Sequence, residues 1–517
     1  MRTLAALALS CAACASPLAP IGPRDASADD AGDAGAGDAG AGDAGAGDAG
    51  AGDAGAGDAG DAGAVIDASR SVLQHHNSST RDGLYLDPAF TRAGITGLQR
   101  DTGFTAAVDG SVRAQPLFLA EANRDLLLVA TENNQVSALD AATGAVVWQR
   151  TLGPPIPLSA LPCGNIDPLG ITGTPVIDPA SRTLFLDAMI DQGGGVPLHQ
   201  IFGLSVDSGQ TRPGYPLALD PHIPGFHSRV QNQRGALLLL DGTLYVPYGG
   251  HAGDCGDYRG FVVGVPLANP QRPAGWQTRA RGGGVWSPGG LSSDGTSVYA
   301  ATGNTFNATS FGDGESIVRL GPGPVASGSA SDEFTPPDWR SLDAGDVDLG
   351  GSPALLFDHH AVALGKDGKA YLLDRADLTH ALSITTVSSR EIIGAAASWQ
   401  GAGGRYLVFP MAGVNCPGSG ITALRIAPPA VTVAWCKPYS GWGSPIAVSP
   451  DGAGSFTVLV AGAESDERLH GFDGETGAVV YTGTDALGTV PRFNALVIGG
   501  GRLYAAGVNQ VLAFKPR

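Results

Sequence analysis

Cysteines are the residues whose chemistry can be read first in this chain. Cys11 and Cys14 follow a short apolar run, residues 1–9, that carries one charge at Arg2; the other four, Cys163, Cys255, Cys416 and Cys436, are spread through the remainder. The N-terminal pattern reads as an export segment over 1–15, with Cys11 placed for lipidation at a lipoprotein-type cleavage site. Plain secretion with cleavage near Ala15 is the alternative. Four cysteines in an exported chain point to disulfides over metal ligation, and none of the four has Cys-x-x-Cys spacing. Cys163 falls between the first two copies of the repeat described below and Cys255 in a loop of the third, so pairing them ties neighbouring loops on one face. Cys416 and Cys436 bracket a hairpin at 421–433 and are expected to staple it. Other chemistry is sparse: there is no Gly-x-Ser-x-Gly elbow, no zincin-type His pair and no Cys-x-x-Cys-His haem site. His75-His76 reads as a capping or hydrogen-bonding pair, because adjacent side chains on a strand point apart. His251 beside Asp254 and Cys255 has metal-ligand types, but a disulfide at Cys255 removes one of them.

The elements that must position these residues are strands. Residues 126–148, LLLVATENNQVSALDAATGAVVW, alternate apolar and polar positions in three runs broken by Asn, Asp and Gly, the pattern of a hairpin meander. The pattern recurs at 183–209, 242–265, 297–320, 360–375, 406–424, 457–477 and 502–514, giving eight copies. Small-residue lead-ins precede the copies, among them Thr172-Gly173-Thr174-Pro175, Trp286-Ser287-Pro288-Gly289, Gly351-Ser352-Pro353, Ala396-Ala397-Ser398 and Gly443-Ser444-Pro445. A repeated small sheet that cannot bury both faces alone predicts an all-β, eight-bladed propeller of four-stranded antiparallel blades over 71–517. The strand-like stretch 104–108 is expected to pair with 496–514 and close the ring, which removes exposed edges. Long insertions at 154–169, 221–234, 251–259, 304–315 and 332–349 all precede residue 350, so one rim of the first five blades is the expected functional side.

Residues 16–70 form the third part, a low-complexity linker. Between 29 and 64 it repeats Ala-Gly-Asp-Ala-Gly, with no apolar surface to offset chain entropy, and reads as a disordered acidic tether. About 50 such residues reach roughly 40 Å. Residues 1–69 hold eleven Asp and two Arg, and therefore half of the formal net charge of −18. With the remaining basic residues scattered, nucleic acid is excluded as a partner, and a membrane is approached only through the N-terminal anchor. The expected product is a monomer in the cell envelope, with the secreted protein as alternative.

Ala138-Leu139-Asp140-Ala141-Ala142-Thr143-Gly144, with Trp148 four residues on, resembles the repeat of the pyrroloquinoline quinone (PQQ) dehydrogenases, eight-bladed quinoproteins. Non-enzymatic relatives carry the same repeat, including the propeller lipoprotein that helps assemble outer-membrane proteins. The resemblance extends to site motifs. Gly283-Gly284-Val285-Trp286 is similar to the family's approach to the Trp on which the quinone stacks, which implies Trp286 as a platform. Ala301-Thr302-Gly303-Asn304 resembles the turn whose Asn binds Ca²⁺. Residues 342–348, Leu-Asp-Ala-Gly-Asp-Val-Asp, fall where the family has His-Asp-x-Trp-Asp-x-Asp, which aligns Asp343 with the catalytic base. Lys366, in Gly365-Lys366-Asp367-Gly368-Lys369, resembles the residue that hydrogen-bonds the quinone oxygens. The chain also departs from that pattern. A lone Cys163 stands near the family's adjacent Cys pair, and the family's Glu metal ligand has only Asp254, one position off, in its place. Longer strings resemble a group of exported quinoprotein-like propellers of unknown activity: Ala114-Gln115-Pro116-Leu117, Cys163-Gly164-Asn165-Ile166-Asp167, Gln231-Asn232-Gln233-Arg234, and 251–255.

Two functions follow. The first is an exported, anchored scaffold that binds protein or glycan at one rim and needs no cofactor. The second is a dehydrogenase of an alcohol or sugar that uses PQQ and Ca²⁺, with Trp286 and Lys366 on the quinone, Asn304 and Asp254 on the metal and Asp343 as base.

Overall fold

The computed structural model describes residues 65–306 and 308–517. The export segment 1–15, Cys11 and the linker as far as residue 64 lie outside the described residues. Among the described residues no helix is long and apolar enough to cross a membrane.

Eight small sheets form the ring. Blade 1 is the antiparallel meander Leu117–Leu119, Leu126–Ala130, Gln135–Asp140 and Val146–Thr151. Blades 2 to 7 repeat it, opening on inner strands at Val176–Asp178, Leu238–Leu240, Ser292–Ser293, Leu355–Phe357, Ala397–Gly401 and Ile446–Ser449. The repeat has a local cause. Asp140 Oδ1 accepts from the Ala142 and Thr143 amides at 3.0 and 2.9 Å and from the Thr143 hydroxyl at 2.9 Å, which sets the turn. Gly144 completes that turn at φ 79°, where a Cβ would stand 2.5 Å from the Thr105 carbonyl oxygen. Trp148 then donates its indole N–H to the Val206 carbonyl of blade 2 at 2.7 Å, docking one blade on the next. Asp473, Thr476 and Gly477 repeat the turn in blade 7, and Trp435 of blade 6 repeats the docking on the Gly474 carbonyl at 2.8 Å. The apolar core is correspondingly divided: the large clusters draw on neighbouring blades, as Leu128, Val136, Ile177 and Phe202 do between blades 1 and 2.

Both ends of the chain build blade 8. Val497–Gly499 and Arg502–Lys515 come from the C-terminus, and Ala106–Ser111 and Gln99–Arg100 from the N-terminal side, with Ala106 opposite Val511. The ring therefore closes with the stretch expected from the sequence.

Residues 72–86 run across the axis and touch the innermost strand region of each blade in turn. Val72 bonds Phe118 of blade 1, and the Leu73 carbonyl accepts from Ile177 of blade 2 at 2.9 Å. Arg81 donates to the carbonyls of Leu237 (2.8 Å) and Leu291 (2.7 Å), just before the inner strands of blades 3 and 4. The carbonyls of Thr80, Asp82 and Gly83 accept from Leu356, Ser398 and Ala447 of blades 5, 6 and 7. Leu84–Leu86 adds a parallel strand to blade 7, and the Tyr85 hydroxyl reaches the Leu496 carbonyl of blade 8 at 3.5 Å. His75 and His76 lie in this plug on a 3₁₀ turn, not a strand, so their rings stack at 4.3 Å instead of pointing apart. Burial pulls the His76 pKa down to about 3, with backbone hydrogen bonds at Arg81 and Ala396 opposing.

Both disulfides join the expected cysteines, with Cα–Cα distances of 6.0 Å for Cys163–Cys255 and 6.3 Å for Cys416–Cys436.

Candidate functional site

Four of the five residues singled out for a quinone site line one cavity of about 200 Å³. Trp286, Asn304, Lys366 and Asp254 meet there with Arg234, His251, Tyr258, Asp346 and Asp348. The cavity is built almost wholly from the rim insertions and the lead-in to blade 4. Gly303 explains the Thr-Gly-Asn turn: a Cβ would lie 2.8 Å from Asp348 Oδ1 and 3.0 Å from the Trp286 indole nitrogen. Only glycine lets the backbone pass between the carboxylate and the ring.

Asp348 organises the charge. Its Oδ1 accepts from the Asn304 amide at 2.7 Å, and its Oδ2 pairs with Lys366 Nζ at 2.6 Å. Lys366 Nζ lies 3.3 Å from Asp346 and 5.3 Å from the centre of the Trp286 ring. Burial alone would lower the Lys366 pKa, but Asp348 and Asp346 outweigh it and hold the ammonium above its ordinary value. Asp254, in the left-handed region at φ 54°, accepts from the Tyr258 hydroxyl at 2.6 Å. Burial raises its pKa against that bond.

Asp343 does not line the cavity. It sits on the helix Trp339–Gly345, inside the insertion 332–349. Its carboxylate accepts from the amide and the hydroxyl of Thr305, the latter at 2.8 and 2.9 Å. Half-burial raises its pKa, with the Thr305 bonds opposing. Asp346 ends that helix in a left-handed conformation, φ 53°, which turns the chain so that Asp348 reaches the cavity in its place. Sequence reasoning passed over Asp348, Arg234 and Glu315. Three Asp at alternating and i+3 spacing gave no means to tell which faces inward. Glu315 is fully buried; its Oε2 accepts from the Leu349 amide at 2.6 Å and its Oε1 has no partner. Burial, then Asp348, pushes its pKa up to about 9.

The donor set suits an aromatic acid better than a hard divalent cation. An indole face, an ammonium and the Arg234 guanidinium would hold planar anionic rings. Ca²⁺ takes six to eight oxygens, whereas here Lys366 is paired with both Asp348 and Asp346, and one oxygen of Asp254 accepts from Tyr258. Among the described residues no group of three His, Cys, Asp or Glu side chains is placed to hold a metal. Cys255 is in its disulfide, so the His251, Asp254 and Cys255 set offers no thiolate.

A family model described as that of the outer membrane protein assembly factor BamB matches residues 95–162, the closing strands and blade 1. None of the curated proteins matches significantly. Among solved structures, the quinohemoprotein alcohol dehydrogenase from Comamonas testosteroni is 16% identical, with TM-score 0.62 over 86% of this chain and 80% of that one. A europium-containing methanol dehydrogenase is 12% identical, with TM-score 0.62 over 86% of this chain and 97% of its own. BamB from Moraxella catarrhalis gives 14% identity and TM-score 0.49 over 81% and 97%. The chain thus shares the fold of the quinoprotein dehydrogenases.

Proposed function

We propose that this propeller, built on the quinoprotein dehydrogenase fold, is a binding scaffold and not a calcium-dependent dehydrogenase. It is exported, acts as a monomer, and presents one rim to a protein or glycan from the end of its acidic linker. Lipidation at Cys11 holds it in the cell envelope, and release as a secreted protein is the alternative. The family-model match to an outer membrane assembly factor is in keeping with the envelope. One observation carries the reading: Lys366 already pairs with the two carboxylates that would draw a metal, at 2.6 Å from Asp348 and 3.3 Å from Asp346. The position of Asp343, held by Thr305 outside the cavity lining, supports it further.

A second reading has its own support, since Trp286, Asn304, Lys366 and Asp254 converge on one cavity. In it the chain oxidises an alcohol or sugar with PQQ and Ca²⁺. Titration with PQQ, with and without Ca²⁺, followed by tryptophan fluorescence and by dye reduction with alcohols and sugars, separates the two. The scaffold reading expects no calcium-dependent quenching at about 50 µM PQQ and no dye reduction. Saturable, calcium-dependent quenching that Trp286→Ala abolishes, with turnover lost in Asp343→Asn, replaces it with the dehydrogenase.

A further inference from the structure

A second cavity, of about 190 Å³, lies beside the first and shares Arg234 with it. Its lining combines Arg113, before the inner strand of blade 1, Arg234, in the lead-in to blade 3, and Arg492, in the lead-in to blade 8. Three guanidinium groups from distant parts of the chain therefore meet near the axis, above the plug that supplies His75. Two carboxylates answer them. Glu464 is taken by Arg492, whose Nε and Nη2 lie 2.9 and 2.7 Å from its Oε2. Glu132 is taken by the Gly170 amide at 2.8 Å and the Thr172 hydroxyl at 2.9 Å, and stands 3.6 Å from Arg113 Nε.

Donors are left over. A guanidinium has five N–H groups in a fork matched to a carboxylate. Arg234 donates one bond, to Asn165 Oδ1 at 3.2 Å. Arg113 Nε is buried with no hydrogen-bond partner. Burial, with Arg113 and Arg492 adding to it, pulls the Arg234 pKa down to about 10, against the pull of Glu132. His75 is 2% exposed, and its Nδ1 likewise has no partner. A neutral imidazole and two underused guanidinium groups are what a bound acid would satisfy. Ile166, Pro288, Phe493 and Ala495 supply apolar wall between the charges, which favours an organic ligand over a bare inorganic anion.

We infer that this axial cavity binds a small organic dicarboxylate, with Arg234 and Arg113 each holding one carboxylate. Arg234 borders both cavities, so an anion in the neighbouring one would compete for it, whereas Arg113 lines this cavity alone. The test is calorimetric titration of the full chain with succinate, glutarate, adipate and malate, alongside inorganic phosphate and the neutral diamide of succinate. Saturable 1:1 binding of a dicarboxylate, absent for the diamide, is expected. Arg234→Met weakens it about tenfold or more through the lost charge-assisted bonds, and Trp286→Ala leaves it within about twofold, which keeps the result separate from any quinone site. Arg113→Gln gives the same loss and serves if Arg234→Met fails to fold. No saturable binding up to about 10 mM, phosphate binding more tightly than every dicarboxylate, or affinity unchanged in both variants overturns the proposal.

Discussion

Lys366 decides how much negative charge the Trp286 cavity can offer a ligand, because it reaches Asp346 and Asp348 while facing the indole. Within its electrostatic reach, Glu315 holds a proton at neutral pH. Its folded-state pKa, about 9, lies above the ordinary 4.5. Between those values the unfolded chain loses a proton that the folded chain keeps, so this residue makes stability fall as pH rises from about 4.5 towards 9 and has no such effect below. Glu315→Gln keeps the bond to the Leu349 amide and removes that dependence. The variant's melting temperature is expected to exceed the wild type's by a few degrees at pH 8 and to match it near pH 4; equal pH profiles for the two proteins would refute this. Trp286, Asn304, Lys366 and Asp254 were legible because the short motifs that carry them resemble those of quinoprotein sites. Asp348 was not, since the left-handed Asp346 that aims it is a backbone event with no residue signal.

At the scale of elements, the alternating outer strands were legible from their period, and the Asp-x-x-Thr-Gly turn from its residue types. Inner strands of two or three residues, such as Ser292–Ser293, are too short to show a period. The helix Trp339–Gly345 was hidden for a different reason: its seven residues carry only Leu342 into the core, so no apolar stripe marks it. The two disulfides act on loops of different length. Cys416–Cys436 spans 20 residues and Cys163–Cys255 spans 92. Chain-entropy arguments give about 3 kcal/mol for the first and about 4.5 kcal/mol for the second. Paired Cys→Ser replacement is therefore expected to cost more at Cys163 and Cys255, as read from unfolding free energies obtained from denaturant midpoint and slope together. A greater loss at Cys416 and Cys436 would show that local strain or packing outweighs loop length.

For the molecule as a whole, ring closure through 104–108 was legible because a strand left over at one end must meet an edge left over at the other. The plug was not legible: residues 72–86 have no period of their own, and their partners are scattered from Phe118 to Leu496. Arg81 is its anchor, fully buried, with no carboxylate among its partners and bonds instead to the carbonyls of His75, Leu237 and Leu291. Burial drops its pKa to about 9. Arg81→Met leaves those three carbonyls unpaired at about 1 to 3 kcal/mol each, and a loss of about 3 to 9 kcal/mol in unfolding free energy is expected. A loss under about 1 kcal/mol would show that the plug does not hold the ring.

The same plug changes what kind of object the repeat array is. Units that touch only their neighbours behave as a one-dimensional chain, in which any stretch can fray without consulting the rest. A hub bonded to all eight spokes abolishes that locality, because loosening one blade withdraws a partner from the segment on which the other seven depend. Melting should then be a single cooperative event. Folding should also be slow, since Gly83 must wait for Ala447 and Tyr85 for Leu496 before the earliest residues of the ring are fixed.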